Sequence, residues 1–212
     1  FKNIHATAEH TLALTLALMR NIPSAVKSVK DGIWDRYPFR GLELNGSSVF
    51  IIGYGRIGRQ VSALYEAFGA EVLAFDIDDS VVPKNKKVTL EYGLQNAEII
   101  SIHIPYSEEN IGFLSKSLLS MLRPDAILIN TSRGEILDQS ALINQLIENK
   151  LGSAALDVLH EEPMPLSDFL RNAISKLGFR LLITPHIAGF TLESLEKVEN
   201  YVSQLLIEDF SR

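Results

Sequence analysis

Two periodicities alternate along this chain. Short, continuously apolar, β-branched runs predict strands at 48–52, 71–75, 98–104, 126–130, 153–158 and 181–184. Between and around them, apolar residues recur with helical spacing. That spacing predicts helices over 6–20, from Pro23, over 56–68, 89–96, 115–121 and 138–148, and finally over 191–209. Runs such as Ala126-Ile127-Leu128-Ile129 show no apolar–polar alternation. Strands buried on both faces of a helix-covered parallel sheet look like this. The pattern therefore predicts an α/β fold built on a doubly wound, mostly parallel sheet. The helix over 6–20 is apolar on most of its circumference and is expected to be buried on both sides. Residues 32–46 form a loop-rich connection. Trp34 within it is expected to be a buried anchor, with an oligomer contact as the sharper alternative.

The first strand runs straight into a glycine motif, Ile52-Gly53-Tyr54-Gly55-Arg56-Ile57-Gly58, and then into a helix. Strand, G-x-G-x-x-G and helix together read as a dinucleotide site. Gly53 makes the tight turn, Gly55 admits a pyrophosphate to the backbone, and Gly58 lets helix and strand pack closely. The helix N-terminus adds free N–H groups and partial positive charge. The next strand ends in Asp76, 23 residues after Gly53. An acid about 20 residues on is where ribose hydroxyls find an acceptor.

Ligands of open α/β sheets lie outside the carboxyl ends of the strands. Here those ends read Gly53-Tyr54-Gly55, Asp76, His103-Ile104-Pro105, Asn130-Thr131-Ser132-Arg133-Gly134, Asp157 and Thr184-Pro185-His186. A single strand-end histidine is more often a local hydrogen-bonding residue. An arginine, aspartates and histidines all emerging along one edge are the stronger sign of chemistry.

Composition narrows the classes. The chain has 212 residues, 46% hydrophobic, enough for a sizeable core, and carries a formal charge of −6 with no basic stripe. This argues against nucleic acid as a partner. There is no cysteine, so disulfides and thiolate metal sites are excluded, and no metal is expected. The apolar run 11–19 is too short to span a bilayer and lacks the basic flank of a signal peptide. Neither a membrane nor an export signal is expected, and the location suggested is the cytoplasm.

Five segments carry a family resemblance: Ala8-Glu9-His10-Thr11-Leu12-Ala13-Leu14; Ile52 to Gly58; Ile129-Asn130-Thr131-Ser132-Arg133-Gly134; Ala155-Leu156-Asp157-Val158 through Glu162-Pro163; and Thr184-Pro185-His186-Ile187-Ala188-Gly189. In this order they resemble the D-isomer-specific 2-hydroxyacid dehydrogenases, the group holding D-3-phosphoglycerate, glycerate and D-lactate dehydrogenases. The resemblance implies an NAD-binding Rossmann fold, with Arg133, Glu162 and His186 as the catalytic set. It implies a cofactor site at Gly53, Gly55, Arg56, Ile57, Gly58, Asp76, His103, Pro105, Thr131 and Asp157, with the nicotinamide amide near Asp157. Residues 1–190 would be the dinucleotide domain. Residues 191–212 would be a helix leading back toward a substrate domain that this chain lacks. A two-fold homodimer through the first helix and Trp34, with Leu12 and Leu16 near the contact, is also implied.

The residue types suit the reaction. Reduction of a 2-oxo acid needs a hydride from a nicotinamide and a proton for the developing alkoxide. Histidine can give that proton near neutral pH, and a neighbouring carboxylate fixes the ring. Arginine has the planar fork that grips a carboxylate with two hydrogen bonds. His160 and Glu161 are expected to be solvated loop residues, and His103 to act through backbone and loop shape. His5 and His10 are read as packing or interface residues. The substrate class is a small D-2-hydroxy or 2-oxo acid, with D-3-phosphoglycerate and glycerate as candidates. A non-enzymatic NAD(H)-sensing protein, resembling the C-terminal-binding-protein corepressors, shares these motifs and stays open as the alternative.

Overall fold

A computed structural model describes residues 3–160, 162 and 165–210, with side chains to 204. Its centre is one six-stranded sheet, with every neighbouring pair parallel. The strands are β1 (Ser48–Ile52), β2 (Glu71–Phe75), β3 (Ile99–Ile102), β4 (Ile127–Asn130), β5 (Ser153–Leu156) and β6 (Leu181–Ile183), in the order β2-β1-β3-β4-β5-β6.

Successive side chains of a strand feed two different cores. Phe50, Ile52, Ile100 and Leu128 pack under α4 (Leu90–Asn96), α5 (Lys116–Leu119), α6 (Gln139–Ile147) and α7 (Asp168–Leu177). Val49, Ile51, Ile99 and Ile129 pack under α1 (Ile4–Met19) and α3 (Arg56–Ala67). Burial on both faces is why the strands show no alternation in the sequence. The direction of winding reverses at β1, with β2 on one side and β3 on the other. That switch point places a crevice at the ends of β1 and β3.

Three expectations change. The sequence pattern had nothing between 158 and 181, yet α7 forms there. Ser167 caps it by accepting a hydrogen bond from the Leu170 N–H, Asp168 opens it, and Gly178, at φ +55°, stops it. Second, α1 is not buried all round: His5, Glu9 and Ala13 face outward. Its buried stripe is partly polar instead, with Thr7, Thr11 and Thr15 all nearly inaccessible. Thr11 and Thr15 satisfy their hydroxyls on carbonyls one turn back, those of Thr7 and Thr11. Third, Trp34 is not a buried anchor but is 91% exposed, beside exposed Ile33 and Tyr37. It follows α2 (Ile22–Lys30), which Pro23 opens as the sequence predicted. Helix α8 (Leu192–Phe210) closes the described chain. Among the described residues no helix is long and apolar enough to cross a membrane.

Candidate active site

The glycine turn has the geometry its spacing predicts. Gly53 sits at φ +92°, and a Cβ there would come within 2.7 Å of the His103 carbonyl carbon and oxygen. A Cβ on Gly58 would stand 2.0 Å from the Gly53 carbonyl oxygen and 3.3 Å from Ile51. Gly55 differs, since its Cβ would meet nothing within 4 Å. The absent side chain leaves open space directly before α3, whose N-terminus has no side-chain cap. Uncapped N–H groups facing open space are what a pyrophosphate requires.

Asp76 closes the same turn from the β2 side. Its Oδ2 accepts from the Tyr54 N–H at 2.7 Å and its Oδ1 from the Asp78 N–H at 3.0 Å. The residues that follow are Ile77, Asp78 and Asp79; a lysine, Lys87, does approach this segment and pairs with Asp79 at 2.6 Å. Lys86, farther along, donates to Glu66, Ser62 and Tyr54. Burial opposes the Lys86 charge, but the bonds to Glu66 and Tyr54 outweigh it and raise its pKa. The open position, the uncapped helix and the acidic acceptor fit a dinucleotide.

His103 lies against this turn from the end of β3, with Pro105 two residues on. His103 Nε2 lies 2.8 Å from Ser101 Oγ, and Ser101 in turn bonds Tyr65, whose hydroxyl lies 2.7 Å from Thr15 Oγ1. Burial pushes the His103 pKa down to about 3 and that of Tyr65 up to about 12, against the hydrogen bonds of Thr15 and Ser101. A histidine so disposed is neutral and gives no proton at physiological pH. The Pro105 carbonyl accepts from Asn110 Nδ2 at 2.9 Å, which fixes the loop.

Arg133 is carried on a turn organised by buried Asn130. Asn130 Oδ1 accepts from both the N–H and the hydroxyl of Ser132, and its Nδ2 donates to the Arg133 carbonyl. Next in the chain, a Cβ on Gly134 would lie 2.0 Å from the Leu159 carbonyl carbon. Glycine there lets the segment leading to Glu162 cross directly beside the arginine turn. The arginine itself is exposed, with Nη1 on the Ser132 carbonyl at 2.6 Å. Thr131 points the other way, and its Oγ1 lies 2.8 Å from Thr11 Oγ1 on α1.

Glu162 and His186 meet, Oε2 to Nδ1, at 2.5 Å. The other Glu162 oxygen accepts the Leu159 N–H. His186 holds a left-handed backbone, φ +54°, rare for a residue other than glycine. Asp157 keeps it there. The Asp157 carbonyl accepts the His186 N–H at 2.8 Å. Oδ1 accepts from the Thr184 hydroxyl and the Ile187 N–H, and Oδ2 from the Ala188 N–H. Burial works against the charge of Asp157, yet the donors from His10, Thr184, Ile187 and Ala188 hold its pKa below the usual carboxylate range. The sequence reading placed Asp157 beside the nicotinamide. In the structure the residue is 1% exposed, and its carboxylate accepts the donors that shape the histidine turn. Glu162 and His186 also line an apolar cavity of about 960 Å³ with Leu159, Leu166 and Ile183.

The structure thus joins Glu162 to His186 and sets Arg133 at the end of β4, with β5 between it and the β6 that leads to His186, hydrogen-bonded to neither among the described residues. Pro163 and Glu161 lie outside the described residues. Asn130, Thr184, His10 and Thr11 were not read as site residues from the sequence. The available signal was a polar residue closing an apolar strand, as Asn130 does, and threonines recurring every four positions in an apolar helix.

Comparison with known proteins gives this geometry a family. The family model described as D-isomer specific 2-hydroxyacid dehydrogenase, NAD binding domain, matches residues 12–188. A D-3-phosphoglycerate dehydrogenase of Archaeoglobus fulgidus is 36% identical over 212 residues, covering 97% of this chain and 39% of that protein. A glyoxylate reductase of Thermofilum pendens is 32% identical over 211 residues, 95% of this chain and 61% of that protein. The chain spans about two-fifths to one half of the phosphoglycerate dehydrogenases it matches. Among solved structures, D-lactate dehydrogenase from Aquifex aeolicus, complexed with NAD and lactic acid, superposes with a TM-score of 0.89 at 28% identity. That match covers 99% of this chain and 67% of that one.

Proposed function

Because the chain belongs to the D-isomer-specific 2-hydroxyacid dehydrogenase family, as its NAD-binding domain, we propose that it supplies the cofactor site and catalytic trio of a dehydrogenase. The substrates would be small D-2-hydroxy acids and their 2-oxo partners, with D-3-phosphoglycerate or glycerate as candidates. The observation that carries this reading is the Glu162–His186 pair beside the arginine turn. NAD, when bound, supplies or accepts the hydride. Glu162 occupies Nδ1 of His186, so the ring is fixed and Nε2 is the nitrogen left to exchange a proton with the substrate oxygen. Arg133 grips the substrate carboxylate and polarises the adjacent carbonyl. Gly55, Arg56, Ile57 and Gly58 would hold the pyrophosphate and Asp76 the adenosine ribose.

Asp76 supports NAD over NADP, because a carboxylate at the ribose repels a 2′-phosphate. A similar structure, an acyclic imino acid reductase, was solved with NADPH, so binding of both reduced cofactors is to be measured. Helix α8 would lead to a substrate domain, leaving 1–190 as the dinucleotide unit. Exposed Trp34, Ile33 and Tyr37 would form the homodimer contact. A cytoplasmic location belongs to the same reading.

The test is NADH oxidation by the full-length protein across a panel of 2-oxo acids, with His186→Ala and Arg133→Lys in parallel. Turnover of at least one acid, lost by orders of magnitude in both variants with NADH affinity kept, is the expected result. Tight NADH binding with no turnover of any acid would overturn the reading in favour of an NAD(H)-sensing protein.

A further inference from the structure

Two adjacent residues on α1 reach two different catalytic turns. His10 Nε2 lies 3.1 Å from Thr184 Oγ1, 174 residues away in sequence, and 3.3 Å from Asp157 Oδ1. Thr184 spends its single hydroxyl proton on Asp157 Oδ1. It can therefore only accept from His10, which puts the proton on Nε2 and makes Asp157 a second acceptor. Thr11 Oγ1 lies 2.8 Å from Thr131 Oγ1. Thr11 donates its own proton to the Thr7 carbonyl, so Thr131 is the donor in that pair.

What each contact holds differs. Asp157, steadied by His10, accepts the N–H groups of His186, Ile187 and Ala188 through its carbonyl and carboxylate. Thr131, steadied by Thr11, is the second residue of the turn from Asn130 to Arg133. Asn3, the residue that precedes α1, also abuts the histidine turn, since a Cβ on Gly189 would come 2.4 Å from its Nδ2. Helix α1 precedes the sheet in sequence, yet both turns are fastened to it.

We propose that His10 and Thr11 are positioning residues on α1, His10 for the turn that carries His186 and Thr11 for the turn that carries Arg133. This rests on the reading of Arg133, Glu162 and His186 as the catalytic trio. It gives α1 separate control over proton transfer and substrate grip. The two side chains sit one residue apart, but they point to different strand ends. A shift of α1 along its axis would displace both turns together, while loss of one side chain would release one.

Hydrogen exchange by mass spectrometry on the full-length protein tests it, reading peptides across 184–190 and 130–135. Removing His10 as His10→Leu is expected to speed exchange about tenfold in 184–190 and leave 130–135 unchanged. Thr11→Val is expected to do the reverse. The conservative variants His10→Gln and Thr11→Ser, which keep a polar group in reach, should restore both peptides. In turnover, His10→Leu should lower kcat about tenfold at constant substrate KM, and Thr11→Val should raise substrate KM several-fold at constant kcat. Equal acceleration of both peptides by either variant, or no acceleration, would overturn the proposal, because general loosening of the fold has no such selectivity. Full turnover in His186→Ala and Arg133→Lys would overturn the catalytic reading instead, and the exchange pattern would still decide the positioning one.

Discussion

Replacing Asp157 by asparagine changes one atom in the centre of the histidine turn, and its cost can be worked out from the bonds already described. The carboxylate accepts from Thr184, Ile187 and Ala188, with His10 at 3.3 Å. An amide has one oxygen and one NH₂ group. If its nitrogen replaces Oδ2, it faces the Ala188 N–H, donor against donor. If it replaces Oδ1, it faces Thr184, Ile187 and His10. Either way a buried N–H loses its partner, which costs about 1–3 kcal/mol, and the remaining bonds lose their charge. The expected destabilisation is about 3 kcal/mol. Urea unfolding at neutral pH should show it as a midpoint lower by about 1 M, given a slope of about 3 kcal/mol per M. The pH dependence has a definite sign. The folded pKa of Asp157 is depressed, so its contribution is full above the ordinary carboxylate range and is lost as pH falls through the folded value. The gap between the native protein and the variant should be constant above about pH 5 and shrink below about pH 4. A variant within about 0.5 kcal/mol of the native protein at pH 7 would refute this account of the turn.

Three further outcomes follow from other positions. His103 is held neutral in the fold with a pKa of about 3, whereas the unfolded chain takes up a proton below about 6.5. Stability should therefore fall as pH drops through that window, and His103→Gln should flatten the slope measured by thermal unfolding. Gly55→Ala should leave the melting temperature nearly unchanged and weaken NADH binding tenfold or more, whereas Gly58→Ala, whose methyl would strike the Gly53 carbonyl, should lower the melting temperature by several degrees. Calorimetry with NADH titration separates the two. Trp34→Glu should convert a dimer to a monomer in sedimentation equilibrium at tens of micromolar, while a native protein that is already monomeric would refute the assigned contact.

Where one local rule governed, the sequence was easy to read. Continuous apolar runs marked the strands, and glycine spacing marked the turn after β1, with the left-handed Gly53 and the close packing at Gly58. Asp157 was placed at its strand end, but the protein donors around it were not legible in the sequence. A buried carboxylate is defined by the donors that converge on it, and Thr184, Ile187 and Ala188 approach from a turn about thirty residues later. Helix α7 carried its own cap signals in Ser167 and Gly178, but its position behind two prolines hid the periodicity. Trp34 shows the opposite limit. A lone large aromatic says that surface will be covered, and the chain's own core does not cover it. The polar stripe of α1 was concealed because threonine in an apolar helix reads as filler until its partners at Tyr65 and Thr131 come into view.

The left-handed backbone at His186 sets thermodynamic preference against chemistry at a single position. For an ordinary L-residue this conformation costs about 1–2 kcal/mol; histidine and aspartate bear it better than most, asparagine better still, and glycine adopts it without penalty. A search guided by folding stability alone, whether by directed evolution without an activity screen or by sequence redesign on this backbone, would accordingly favour glycine or asparagine at 186. Either choice would ease the turn and delete the proposed acid. Drift at that position in a copy released from selection for turnover should run the same way, so its occupant is a marker of whether the site is still in use.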